Sequence, residues 1–204
     1  MPDCARRAQF VGCRNEDRGV EIRPLNIADI KLLVPQIHRD ARGFFLETYR
    51  RDLMSAVGIA SEFVQDNHAL SVEAGTLRGL HFQLPPHAQG KLVRVVRGSI
   101  FDAAVDIRAA SPTFGQHVSA ILSAENWMQI WIPPGFAHGY CTLEPNTEVA
   151  YKVTDYYAPD CDRGLKWDDP ALGIEWPVDN VILSSRDRLH PALKDLELAF
   201  VDTV

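Results

Sequence analysis

From Phe63 onward the chain carries short β-branched and aromatic runs punctuated by Gly, Pro and Asn, the pattern of many short strands. In Phe101-Asp102-Ala103-Ala104-Val105-Asp106-Ile107-Arg108 the apolar residues take every second position, which sets one face of a strand on a core. Val93 and Val95 precede it, and Gly98 breaks the run. Gln129–Ile132 is expected to end at Pro133-Pro134-Gly135. His138–Leu143 is expected to pair as a hairpin with Glu148–Thr154 across Glu144-Pro145-Asn146-Thr147. Short helices are predicted over Ile27–Leu33 and Arg51–Val57, the second closing at Gly58, with a later one near Ala192–Ala199. Many short strands and few helices predict an all-β sandwich, jelly roll or barrel with a few short peripheral helices.

The length of 204 residues suits a single domain, because chains of that size bury roughly 70% of the surface they expose when unfolded. Residues 1–19 are polar, basic and aperiodic and read as a flexible N-terminal extension, which leaves 20–204 as the folded domain. With 46% hydrophobic and 24% charged residues the chain is ordinarily globular. A net charge of −6 argues against nucleic acid as a partner, since that binding rests on Lys and Arg neutralising phosphates. No apolar run nears the roughly 18 residues that span a bilayer, and residues 1–19 lack the apolar stretch of a signal peptide, so a cytoplasmic protein without membrane contact is expected. Cys4, Cys13, Cys141 and Cys161 form no CxxC pair and no zinc-like grouping, which reads as free thiols in a reducing compartment.

Polar side chains whose parity turns them inward are the informative exceptions in a small barrel, whose interior is otherwise apolar. Gln65 and Asn67 share a face with Phe63, His81 and Gln83 share one with Leu77, and Tyr151 lies between Val149 and Val153. Singly, such a His or Tyr is more often hydrogen-bonded core than catalytic, and the amides more often satisfy backbone groups. Together with Arg78, Lys91 and Arg94 nearby, they describe a barrel mouth whose charges call for a ligand. A GxGxxG turn, a GxxxxGK[ST] loop, a GxSxG elbow and an HExxH helix are all absent, which sets aside dinucleotide binding, P-loop NTPase action, serine hydrolysis and zincin chemistry.

Arg42-Gly43-Phe44-Phe45-Leu46-Glu47, Phe63-Val64-Gln65-Asp66-Asn67-His68 and Leu77-Arg78-Gly79-Leu80-His81-Phe82-Gln83 resemble the dTDP-4-dehydrorhamnose 3,5-epimerase family. Ala88–Arg94, Val105–Arg108, Ser111–Gly115, Pro134–Gly139 and Lys166–Pro170 continue the resemblance in the same order, from about Val20 to Leu193. The resemblance implies a cupin-type jelly roll, a homodimer, a dTDP-sugar substrate and no metal or other cofactor. It also implies roles: His81 as general base with Asp187 as its carboxylate partner, Tyr151 as the acid on the opposite face of the sugar, and Lys91 as stabiliser of the enolate oxygen. Arg42, Glu47, Gln65, Asn67, Arg78, His138, Asp162 and Arg186 match positions that contact nucleotide or sugar, and Tyr157 matches an aromatic that stacks on thymine.

The chemistry asks for these residue types on its own account. Protons on C3 and C5 are acidified only by a ketone at C4, so a base, a stabiliser for the enolate and a donor across the ring are all needed. Two rival readings stand beside this one. Pro134-Gly135-Phe136-Ala137-His138 looks like the second motif of a metal-dependent cupin, but His81-Phe82-Gln83 has no Glu at the right distance, and two imidazoles alone make a poor iron or zinc site. A non-catalytic sugar-nucleotide module would have no use for an acid and a base on opposite faces. Relatives that invert a single carbon keep the same His, Lys and Tyr, so C3,C5 and single-carbon epimerisation both remain open at this point.

Overall fold

The computed structural model describes residues 20–197 and 200, and the extension at 1–19 lies outside them. In chain order the elements are β1 (Val20–Arg23), β2 (Lys31–Pro35), β3 (His38–Asp40), β4 (Gly43–Phe45), α1 (Arg51–Ala56), β5 (Gln65–Ser71), β6 (Leu77–Gln83), β7 (Lys91–Arg97), β8 (Ser99–Asp106), β9 (His117–Ser123), β10 (Gln129–Ile132), β11 (Phe136–Thr142), β12 (Thr147–Val153) and β13 (Asp162–Gly164). Two antiparallel sheets face one another, a six-stranded one in the order β1-β2-β10-β7-β12-β5 and a five-stranded one in the order β13-β6-β11-β8-β9. From β5 to β8 each strand joins the opposite sheet from its predecessor, β8 and β9 pair as neighbours, and β10 to β12 alternate again. This is a jelly roll, as expected from the cupin-type resemblance.

Strand parity divides the core. Val93, Val95, Ile130, Ile132 and Val149 of the larger sheet meet Ile100, Ala104, Val118, Leu122 and Phe136 of the smaller one. The alternating apolar face of β8 is buried as expected, but outside the sandwich: Val105 and Ile107 pack with Leu80, Phe82 and Ala137 under Leu165, Leu172 and Phe200. The outer face of the larger sheet is covered in turn, with Leu33, Leu92 and Trp131 beneath Met54 and Ile59. Burying a side chain of this size is worth about 1.5–3 kcal/mol, so the three apolar layers carry the fold.

Four expectations are corrected. Ile27–Leu33 is not a helix: a turn closed by Ile30 N–H donating to Ile27 O at 3.2 Å leads into β2. Its 3.6-residue spacing is overridden because β2 gains ladder partners on both sides, β1 and β10. His138–Leu143 and Glu148–Thr154 form no hairpin, because β11 and β12 lie in different sheets. Asn146, at φ 54°, carries the chain across, and its N–H donates to Val72 O at 2.9 Å. The late helix reduces to a 3-10 turn at Leu193–Asp195, and residues 198 and 199 lie outside the described ones. Leu77 does not share the face of His81, for a reason that belongs to the site.

Candidate active site

A cavity of about 350 Å³ opens between the sheets, lined by Ala69, Lys91 and Tyr151 from the larger sheet and by Arg78, His81, His138 and Tyr140 from the smaller. Ser184, Arg186 and Asp187 close over it. Along the smaller wall the register shifts: His138 pairs with His81 but Tyr140 with Arg78, so three steps on β6 match two on β11. This bulge interrupts the alternation and turns Arg78, rather than Leu77, onto the cavity wall beside His81. Glycine makes it possible. A Cβ on Gly79, at φ 129°, would lie 2.5 Å from Gly139 Cα, and one on Gly139 would lie 2.8 Å from Arg78 O. Two bare backbones pack where any side chain would collide.

His81 Nε2 lies 2.6 Å from Asp187 Oδ1, and the Asp187 N–H donates to Ser184 Oγ at 3.1 Å. Burial opposes a charged Asp187, yet the imidazoles of His190 and His81 hold its carboxyl far below the usual carboxylate range. At His81 burial dominates and lowers the pKa; Asp187 pulls the other way, while Lys91 and His190 add to the drop. The ring is therefore neutral at pH 7. Asp187 fixes its proton on Nε2, which leaves Nδ1 as the basic nitrogen. Across the cavity, Lys91 Nζ donates to His81 O at 3.1 Å. Burial pushes the Lys91 pKa down to about 8 against the pull of Asp162 and Asp102, so it remains a cation at pH 7. Burial raises the Tyr151 phenol above its ordinary value, with Arg78 opposing, and keeps the proton on it.

The remaining predicted residues fall into three groups. Tyr157 OH donates to Asp162 Oδ2 at 3.0 Å, and Arg186 approaches the same oxygen at 2.6 Å, which joins three of them into one cluster beside the cavity. Gln65 Nε2 donates to Asn67 Oδ1 at 2.9 Å on β5, with both side chains on the half-buried face of that strand. Arg42 and Glu47 are not brought to this cavity: Arg42 is paired with Asp40 in the β3–β4 hairpin, and Glu47 with Arg50 at 3.0 Å.

Sequence reasoning missed Asp102, Tyr140 and His190. Asp102 Oδ2 lies 2.8 Å from His138 Nε2, and the pair is buried. Its parity, shared with Ile100 and Ala104 of the inter-sheet core, was the available signal. His190 stands edge-on to His81 at 5.4 Å between ring centroids, its Nε2 3.5 Å from Asp187 Oδ1. Its position two residues before the expected helix at Ala192–Ala199 gave no pattern to read.

His81, Asp187 and His190 bring their ligating atoms within 4.8 Å of one another, a spacing compatible with a cation. The 2.6 Å contact between His81 and Asp187 is a direct hydrogen bond, which a metal ion between them would have to break.

The profile of the family described as dTDP-4-dehydrorhamnose 3,5-epimerase matches residues 24–195. The chain belongs to this family. An epimerase of that name from Sinorhizobium fredii is 52% identical over 181 residues, which cover 86% of this chain and 91% of that one. The crystal structure of the Legionella pneumophila dTDP-6-deoxy-D-glucose-3,5-epimerase, in complex with dTDP-4-keto-L-rhamnose, superposes with a TM-score of 0.86 at 43% identity and covers 91% of this chain and all of that one (100%). The Bacillus anthracis dTDP-4-dehydrorhamnose 3,5-epimerase, with TDP and PPi bound, gives a TM-score of 0.83 at 50% identity and covers 85% and 99% of the two chains. Family membership, the jelly roll and the isomerase class thus agree with the resemblance read from the motifs.

Proposed function

We propose that this protein inverts C3 and C5 of dTDP-4-dehydro-6-deoxy-D-glucose to give dTDP-4-dehydro-L-rhamnose, a step towards dTDP-L-rhamnose. The observation that carries the reading is the His81–Asp187 pair on one wall of the cavity with Tyr151 and Lys91 on the other. In each inversion, His81 Nδ1 takes the proton next to the C4 ketone, and the electron pair moves onto the ketone oxygen. The Lys91 ammonium stabilises that oxyanion, and the Tyr151 phenol returns a proton to the opposite face. Asp187 stays ionised and holds the imidazolium in place. Exchange with water then resets His81 and Tyr151.

Tyr157, 55% exposed, would offer its ring to thymine, with Arg186, Asp162, Arg78 and His138 contacting nucleotide or sugar. Arg42 and Glu47 accompany a hairpin whose Phe44 and Phe45 are 52% and 65% exposed. We place that hairpin against a second copy of the chain, in a homodimer where Arg42 and Glu47 of one protomer reach the nucleotide of its partner. A cytoplasmic setting accords with the free thiols of Cys141 and Cys161, and no described helix is long and apolar enough to cross a membrane.

The test is proton NMR of dTDP-4-dehydro-6-deoxy-D-glucose with enzyme in deuterated buffer. Label and inversion at both C3 and C5 are expected; inversion confined to one carbon would assign a single-carbon epimerase instead. Because His81 and Asp187 bond directly, dialysis against a strong chelator should leave turnover unchanged. Loss of activity restored by zinc, iron or manganese would mean that the cluster with His190 holds a metal.

The pH dependence follows from Lys91. A lysine whose pKa is lowered carries its charge below that value and loses it above, so kcat should fall as pH rises through about 8. A Lys91→Met variant, already without the charge, should show a low kcat with no such alkaline limb. A limb that survives the substitution would have to come from another group.

A further inference from the structure

The segment that carries Tyr157 is held by amide side chains, the buried one of Gln83 and the half-buried ones of Gln65 and Gln89, rather than by a strand. Gln83, on the smaller sheet and only 4% exposed, donates from Nε2 to Tyr156 O at 3.1 Å and to His87 O at 2.7 Å, and its Oε1 accepts from Ala158 N–H at 2.8 Å. One side chain therefore grips the backbone on both sides of Tyr157. Gln65, on the larger sheet, accepts the N–H of Tyr157 itself at 3.1 Å, and Gln89 donates to Asp155 O at 2.8 Å. Four consecutive residues, 155–158, are thus tied to both sheets through amide side chains. Meanwhile Tyr156 and Tyr157 stay 64% and 55% exposed. The backbone is fixed while the aromatic face is left free.

We infer that Gln83, assisted by Gln65 and Gln89, is a positioning residue that holds Tyr157 ready as a stacking platform for the base; this rests on the thymine-stacking role proposed above. Gln83 does not line the cavity, and its amide bonds go to the backbone of residues 87, 156 and 158. An unclamped loop would have to be ordered by the ligand, and that cost would appear as weaker binding rather than slower chemistry. An amide suits the task because it donates and accepts from one rigid plane and cannot ionise beside Asp162.

The experiment is calorimetric titration with dTDP together with steady-state kinetics on wild type, Gln83→Leu, Tyr157→Ala and the double variant. Gln83→Leu should weaken dTDP binding and raise KM by about 10-fold, while kcat stays within about twofold. In the Tyr157→Ala background the same substitution should change affinity less than about twofold, because a clamp has no effect once its platform is gone. If Gln83→Leu does not fold, as judged by its melting curve, Gln83→Glu, which keeps the shape but not the donors, and Gln89→Ala take its place. Wild-type dTDP affinity in the Gln83 variants alongside a weakened Tyr157→Ala overturns the clamp alone. Unchanged affinity in Tyr157→Ala overturns the stacking role itself, and the purpose of the clamp with it. A kcat that falls as far as affinity does, or an undiminished effect in the double variant, shows Gln83 acting elsewhere.

Discussion

His81→Asn is expected to abolish deuterium uptake at both C3 and C5 while the protein still folds and binds dTDP. Of the two cavity imidazoles held by a carboxylate, His81 has a side chain 33% exposed against 7% for His138, which leaves its second nitrogen open to a substrate, the arrangement a base requires. Losing a general base costs about 10²–10⁴-fold, or about 3–5 kcal/mol of barrier. Asn retains a donor that can face Asp187, the carboxylate keeps His190 as a neighbour and the Asp187 N–H keeps Ser184 Oγ, so the cost in stability should stay within about 1–3 kcal/mol. Exchange is read by proton NMR in deuterated buffer, and dTDP affinity by calorimetry. Exchange at either carbon near the wild-type rate would take the base role from His81. His138, the other imidazole of the cavity, would then be the next residue to test.

Tyr151→Phe should separate exchange from inversion. A proton that leaves on one face and returns on the other needs a group on each, and a single base can exchange hydrogen but cannot invert the carbon. Tyr151 points inward from β12 between Val149 and Val153, both 1% exposed, in the sheet opposite His81. Phe preserves the ring and its packing, so the melting temperature should barely move. The variant should still take up label through His81 with configuration retained, while inverted product falls by about 10²-fold or more. Rapid inversion in Tyr151→Phe would pass the donor role to another group. Tyr140, the other phenol of the cavity, stands on the same wall as His81 and could not serve that face.

Local chemistry explains what was legible in the sequence. Gln129–Ile132 was readable because Pro133-Pro134 cannot extend a ladder, and α1 because its run ends one residue before Val57 and Gly58, where the chain turns at φ 81°. The inward parity of Gln65, Asn67 and Tyr151 held because β5 and β12 pair without interruption from Gln65–Val153 to Ser71–Thr147. Arg78 and Leu77 exchanged faces because a bulge is a property of two strands, and no period along one of them contains it. The misplaced hairpin has the same origin. Glu144–Thr147 contains turn residues in either case, and only the positions of the other strands determine whether the chain doubles back or crosses over. Asp102 escaped because alternation drew attention to the apolar face of β8, whereas both faces are covered.

The alternation of strands between the two sheets also bears on how the protein reaches its working state. Because β6 and β7 follow one another in sequence but lie in opposite sheets, His81 and Lys91 meet only after the sandwich has closed around them. Most ladders join strands distant along the chain, only β1–β2, β3–β4 and β8–β9 pairing consecutive ones among the described residues, so loop closure precedes most of the gain, which places refolding on the millisecond-to-second scale typical of non-local β topologies. No consecutive fragment of this chain contains a working pair of walls. Recovery of turnover after dilution from denaturant is therefore a late clock, ticking only once the whole roll has formed, while strand content read by circular dichroism can run ahead of it.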